Sequence, residues 1–167
     1  MMNYLELKEQ KQELIEGISQ YGAAIVCIRV NVPGEQKKFA WSEKIHRHAS
    51  LKFEELFLNQ AIKFQRIEEE FCNLFYEYIT FYSVKSEPIS VKRLTIQLES
   101  DEEIGRLLDI DVYDFKGNSI SRDEFDIPDR QCYLCSEPAF ICGRTRKHSI
   151  QELHQFMILK AEMLEDK

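Results

Sequence analysis

The sequence predicts an α+β fold: a single domain over residues 1–167, with an antiparallel-rich sheet and helices at both ends of the chain. Three observations predict it. Apolar residues recur at helical spacing near the N-terminus, among Lys, Glu and Gln, and a capping box opens a helix near the C-terminus. Between the termini lie runs rich in β-branched and aromatic residues, bounded by turn residues. Between two of these runs lies a short turn, residues 100–103, brief enough for antiparallel neighbours.

The elements follow in order. Residues 6–21 read as a helix, because Leu7, Leu14, Ile15 and Ile18 fall near one face, and Gly22 ends it. Residues 23–32 read as a strand that starts as a buried apolar run. It then alternates, with Ile28, Val30 and Val32 on one side and Arg29 and Asn31 on the other. Pro33-Gly34 breaks it.

Ser42 with Glu43 predicts a helix start. Its stripe of Ile45, Ala49, Phe53, Leu56, Phe57, Ala61 and Phe64 runs to Gln65, and residues 67–75 continue it or begin another helix. Residues 78–84 and 91–99 read as strands, the second with Leu94, Ile96 and Leu98 inward. Residues 107–115 form the next strand, and Lys116-Gly117-Asn118 turns it. The segment 120–147 reads as irregular. Ser149 then caps a last helix over 150–164, with Glu152 completing a capping box.

Bulk properties exclude several classes. With 44% hydrophobic and 31% charged residues, the composition is neither disordered nor collagen-like. A net charge of −7 opposes non-specific nucleic-acid binding, so a phosphate-bearing ligand needs a local basic patch. No apolar run approaches the ~20 residues that span a bilayer, so no membrane association is expected. The first twelve residues are too polar for a signal peptide. The five cysteines, Cys27, Cys72, Cys132, Cys135 and Cys142, are an odd set and read as reduced thiols of a cytoplasmic chain.

Four constellations carry candidate chemistry. In Gly105-Arg106-Leu107-Leu108-Asp109-Ile110-Asp111-Val112, strand alternation puts Leu108, Ile110 and Val112 on one face. Asp109 and Asp111 lie on the other, about 7 Å apart along the strand. Paired carboxylates of this kind suit Mg²⁺. The alternative is a solvated strand face. Two such charges repel unless a cation or an arginine neutralises them, so removing one is expected to cost little stability. Glu99, on the polar face of the preceding strand, offers a third carboxylate.

Cys132-Tyr-Leu-Cys135, followed by Cys142 and His148, has the residue types of a Cys₃His zinc site; the alternative is a compact loop of reduced cysteines. Arg144, Arg146 and Lys147, with Arg122 and Arg130 upstream, form a basic cluster suited to phosphate, or a solvated loop. Asn31-Val32-Pro33-Gly34 with Lys37 and Lys38 either cradles a phosphate or simply turns the chain. His46 and His48 read as exposed near a helix start, His154 as part of the last helix, and Trp41 as a loop anchor.

Taken in order, these pieces resemble a known family. They are Val30-Asn31-Val32-Pro33-Gly34 with Lys37; Leu98-Glu99; Gly105-Arg106-Leu107 with Asp109-Ile110-Asp111-Val112; Ile120-Ser121-Arg122; Cys132-Tyr133-Leu134-Cys135; Glu137-Pro138-Ala139; Cys142-Gly143-Arg144; and His148-Ser149 with Glu152-Leu153. The chain resembles the citrate lyase holo-acyl-carrier-protein synthases, also called apo-citrate lyase phosphoribosyl-dephospho-CoA transferases (CitX). It departs from their pattern at Gln97 and at Glu102-Glu103.

The resemblance implies transfer of phosphoribosyl-dephospho-CoA from triphosphoribosyl-dephospho-CoA to a serine of the apo acyl-carrier subunit of citrate lyase, with loss of pyrophosphate. It implies a nucleotidyltransferase-like carboxylate strand, with Asp109, Asp111 and Glu99 catalytic and Mg²⁺ held by the aspartates. Substrate would then be met by Asn31, Gly34, Lys37, Arg106, Arg122, Arg144, Arg146 and Lys147. Two alternatives stand beside this reading. One is a non-catalytic, zinc-stabilised adaptor for an acyl carrier or lyase subunit. The other is a paralogue acting on a malonate decarboxylase-type carrier.

Overall fold

The computed structural model describes residues 4–19, 24–67, 76–101, 103–125 and 127–165. Strand β1 (Ala24–Val30) is the hub of a four-stranded antiparallel sheet. It pairs on one side with β3 (Ile79–Val84) and on the other with β4 (Leu108–Tyr113). The short β2 (Phe64–Arg66) adds to β3, so the strand order is β2-β3-β1-β4.

Both faces of β1 are covered, which explains its unbroken apolar start. On one face Ala24, Val26, Ile28 and Val30 join Ile110 and Val112 of β4. Over them pack Ile45, Ala49, Phe53 and Phe57 of α2 (Ala40–Asn59) and Met157 of α5 (Ile150–Met163). On the other face Ile25 and Cys27 meet Phe81, Tyr113 and Ile15 of α1 (Tyr4–Ser19). The α+β class, the antiparallel sheet and the helices near both chain ends agree with the sequence. The helix end expected at Tyr21-Gly22 lies outside the described residues.

The structure corrects the sequence at three elements. Residues 91–99 are not a strand but most of α3 (Pro88–Glu99). Its buried positions are Pro88, Val91, Lys92, Thr95 and Glu99, a helical repeat in which three of the five side chains are polar. Hydropathy therefore hides that face, and the alternation of Leu94, Ile96 and Leu98 imitates a strand. Pro88 sits at the helix start, where its missing N–H costs nothing. The neighbour of β4 is thus β1, not residues 91–99. On the free edge of β4, Lys92 Nζ donates to the Ile110 carbonyl (3.0 Å), and the Ile110 N–H donates to Glu99 (3.0 Å). These two side chains cover the edge at Ile110, and further along it the Ile120 N–H donates to the Val112 carbonyl (2.8 Å).

The second correction is α2. It begins two residues before Ser42, whose hydroxyl instead accepts the Phe39 N–H (2.9 Å) from within the first turn. It ends at Asn59, not near Gln65. Ala61 takes a left-handed φ of 54°, and the Ile62 N–H reaches back to the Phe57 carbonyl (3.0 Å), a helix-terminating reversal. Phe64 then lies on β2 and still packs edge-on against Phe53 and Tyr82, so it mimics the helical stripe. Ile67 follows β2; the rest of the possible helix at 67–75 lies outside the described residues.

The third is segment 120–147, which carries a 3-10 turn (Arg122–Phe125) and a short helix, α4 (Ala139–Thr145). The α5 cap is as expected: Ser149 Oγ accepts from the Glu152 N–H (3.2 Å), and Glu152 accepts from the Ser149 N–H (2.8 Å).

Candidate functional site

Register builds the first half of the site. Antiparallel pairing sets Arg29 opposite Asp109 and Cys27 opposite Asp111, on the α1 face of the sheet. Leu108, Ile110 and Val112 point into the core behind them, as the alternation requires. Arg29 Nη2 then donates to both carboxylates, at 2.5 Å to Asp109 and 3.0 Å to Asp111. Lys11 of α1 adds a contact of 3.2 Å to Asp111. Burial alone would raise the Asp111 carboxyl, but Lys11 and Arg29 outweigh it and hold it below the usual carboxylate range. Burial pushes the neighbouring Cys27 thiol up to about 12, so it is neutral.

Glu99 ends α3 beside this pair. Gly105 fixes its approach, since a Cβ there would lie 2.6 Å from the Leu98 carbonyl oxygen. The Glu99 side chain is 1% exposed and is paired with Arg122 (2.5 Å) and with Arg130. Arg130 also reaches Asp109 at 3.4 Å. Four cations, Lys11, Arg29, Arg122 and Arg130, thus face four carboxylates, Asp109, Asp111, Glu99 and Glu77.

This changes the reading of the aspartates. Arg29 Nη2 bridges Asp109 Oδ2 and Asp111 Oδ2, Lys11 shares that Asp111 oxygen, and Arg130 reaches Asp109 Oδ1, so three of the four aspartate oxygens already face cations. Mg²⁺ needs open carboxylate oxygens in near-octahedral array. The donor set in this arrangement does not fit it. Among the described residues, the group whose ligand atoms lie close enough together to hold a metal ion is the cysteine cluster, not Asp109, Asp111 and Glu99. Arg29, Lys11 and Lys92 are the participants sequence reasoning missed. The signal for Arg29 was present: a cation on the strand that carries the site's apolar core, on the face opposite Ile28 and Val30.

The second half is a cleft of about 620 Å³ between the end of β1 and segment 130–153. It collects Asn31, Gly34, Arg106, Arg130, Arg146 and His148 at its walls. Gly34 turns the chain at a positive φ of 87°, with the Ile150 side chain against it. His154 Nε2 lies 2.9 Å from the Pro33 carbonyl oxygen and, with Trp41 of α2, braces that turn. The Tyr133 hydroxyl donates to the Asn31 carbonyl (2.9 Å) and ties the two walls together. Arg106 donates to the carbonyls of Gln131 and Cys132. Arg130 belongs to both halves, so the carboxylate network touches the cleft through it.

Not every expected contact joins. Lys37 donates to the Val32 carbonyl and closes its own loop. Arg144 lies over the Phe140 ring, 5.7 Å from its centroid, and neither Arg144 nor Lys147 lines the cleft. Arg122 lines a separate, smaller hollow with Arg130. His46 is buried rather than exposed, 3.2 Å from Thr80 Oγ1, and burial lowers its pKa to about 4. The His48 side chain is 12% exposed.

Cys132, Cys135, Cys142 and His148 do come together. Their ligand atoms all lie within 4.8 Å of one another, a set that can hold a metal ion. Cys135 Sγ is 3.5 Å from Cys142 Sγ and 3.3 Å from His148 Nε2. No helix among the described residues is long and apolar enough to cross a membrane.

Comparison with known proteins places the chain in a family. The model of the CitX family, apo-citrate lyase phosphoribosyl-dephospho-CoA transferase, matches residues 1–163. A protein of Vibrio cholerae called probable apo-citrate lyase phosphoribosyl-dephospho-CoA transferase is 30% identical over 83% of this chain and 77% of its own. A Streptococcus pyogenes protein of the same name is 43% identical over 47% of this chain. Protein CitXG of Haemophilus influenzae is 34% identical over 81% of this chain. The matches span only 29% of the Haemophilus protein and 41% of the Streptococcus protein.

Proposed function

Because the chain belongs to the apo-citrate lyase phosphoribosyl-dephospho-CoA transferase family, we propose that it attaches the phosphoribosyl-dephospho-CoA group to a serine of the apo acyl-carrier subunit of citrate lyase. The donor is triphosphoribosyl-dephospho-CoA, and pyrophosphate leaves. In class this is a nucleotidyl transfer: a bond forms from the serine oxygen to phosphorus, and the bond to pyrophosphate breaks.

The observation that carries the reading is Arg130, which faces the cleft and is held by Glu99 and Asp109. Charge in such a reaction spreads over phosphate oxygens, so catalysis rests on fixed positive charge and position. Arg106 and Arg146 supply further guanidinium groups at the cleft walls, where Gly34 of the Pro33-Gly34 turn also lies. Asp109, Asp111 and Glu99 act by holding Arg29, Arg122 and Arg130 in fixed directions before substrate arrives. That role is positioning, and it needs no ion between the aspartates. A passive adaptor would have no use for a buried carboxylate that anchors two arginines.

The test is the mass of an apo citrate lyase carrier incubated with the chain and triphosphoribosyl-dephospho-CoA. The carrier gains the phosphoribosyl-dephospho-CoA mass, and a carrier whose acceptor serine is replaced by alanine does not. An unchanged mass on the citrate lyase carrier, with labelling of a malonate decarboxylase-type carrier, assigns the chain to the other carrier.

A further inference from the structure

We propose that Cys132, Cys135, Cys142 and His148 bind one zinc ion, which cross-links segment 130–148 and holds the outer wall of the cleft. Geometry is the first argument. Zinc with bonds of about 2.3 Å to sulfur and about 2.0 Å to nitrogen makes tetrahedron edges of roughly 3.5–3.8 Å. The cluster shows 3.5 Å between Cys135 and Cys142 and 3.3 Å between His148 and Cys135, with all four ligand atoms inside 4.8 Å.

The backbone is shaped for the same end. The Cys132 N–H donates to the Glu137 carbonyl (2.8 Å), closing the loop that brings Cys135 beside Cys132. Arg146 adopts a left-handed φ of 50° at the end of α4, a conformation that disfavours a long side chain. That reversal returns the chain so that His148 meets Cys135.

Burial is the second argument, and it is independent. Among the described residues from 127 to 150, only Cys132 and Cys142 are buried. Leu134, Phe140 and Ile141 are exposed, so no apolar core of its own orders this stretch. Beyond its two thiols the segment rests on the body through Tyr133, stacked on Phe156 at the main core, and through Arg106, so a cross-link would order the remaining loop. A disulfide would use two of the three sulfurs and leave one cysteine and the imidazole unexplained. Zinc uses all four, and with four protein ligands the site is closed and structural. Removing the ion would free Gln131, Tyr133 and Arg146, and with them one wall of the cleft. The inference stands whether or not the chain is a transferase.

Zinc content of the untagged wild-type chain, purified without chelator, decides the matter together with the mass of the intact protein. One equivalent of zinc is expected, with all cysteines reduced and the three cluster thiols slow to alkylate until a chelator is added. Cobalt(II) in place of zinc should give the absorption of a tetrahedral thiolate-rich site. After chelation, protease should cut within 130–148 first, while the circular dichroism of the sheet and α2 persists. Folded protein with less than roughly a tenth of an equivalent of zinc overturns the proposal, because structural zinc binds tightly. So does a disulfide within the cluster, seen as a mass lower by two hydrogens and located to Cys135–Cys142 by peptide mapping.

Discussion

At the scale of single residues, the outcome turns on what lies beside Asp109 and Asp111. Strand alternation fixed their shared face, and that part was legible in the sequence. Their neutralising partner was not, because pairing register decides it and register is non-local. Repulsion between the two carboxylates led to the expectation that losing one charge would cost little stability. The structure reverses this, since Arg29 and Lys11 already offset both charges and would be left short of a partner. Asp111→Asn should therefore lower stability at pH 7, by about 1.5–3 kcal/mol, the usual range for hydrogen bonds to charged groups. The pH dependence has a definite sign. The Asp111 pKa is held down in the folded state, so the unfolded chain binds its proton first as pH falls. The contribution is complete above the unfolded value of about 3.9 and fades as pH drops below it. Urea midpoints of wild type and variant should differ at pH 7 and converge in acid; a gap independent of pH would remove the ion pair as its cause.

At the scale of elements, α3 shows why a helix can be invisible to hydropathy. Lys92, Thr95 and Glu99 are buried for polar work, two of them at the backbone of β4, so the inward face does not look apolar. The capping box of α5 was legible because it is written within four residues, Ser149 to Glu152. The end of α2 was not, because Ala61 takes a left-handed turn that nothing in an alanine announces. Glu99 joins α3 to the site, and its loss should be felt twice. Glu99→Gln keeps the shape but leaves Arg122 without its carboxylate and Arg130 with Asp109 alone. The arginines left behind are 23% and 31% exposed, so the cost falls below the ~3–5 kcal/mol of breaking a fully buried pair. Thermal denaturation should show a lower midpoint, and transfer should slow even where the variant is fully folded. A folded variant with unchanged transfer would confine Glu99 to a structural role.

At the scale of the whole molecule, an acidic chain of net charge −7 gathers its useful cations at one cleft. Long-range charge repels a polyphosphate, so binding depends on the few guanidinium groups that face the cleft. The sequence placed Arg144, Arg146 and Lys147 together as one basic run. Folding separates them: Arg146 turns inward at the end of α4, and Arg144 rests over the exposed Phe140. That distinction follows from one left-handed residue and is absent from composition. It also gives the most direct test of transfer in this cleft. The rate of mass gain by the apo carrier should be measured against triphosphoribosyl-dephospho-CoA concentration for wild type, Arg146→Ala and Arg144→Ala. The account predicts labelling by wild type and a half-saturating concentration raised about 10- to 100-fold in Arg146→Ala, as losing one charge-assisted phosphate contact implies. Arg144→Ala should stay close to wild type. Equal effects of the two substitutions, or a carrier that wild type leaves unlabelled, would contradict it.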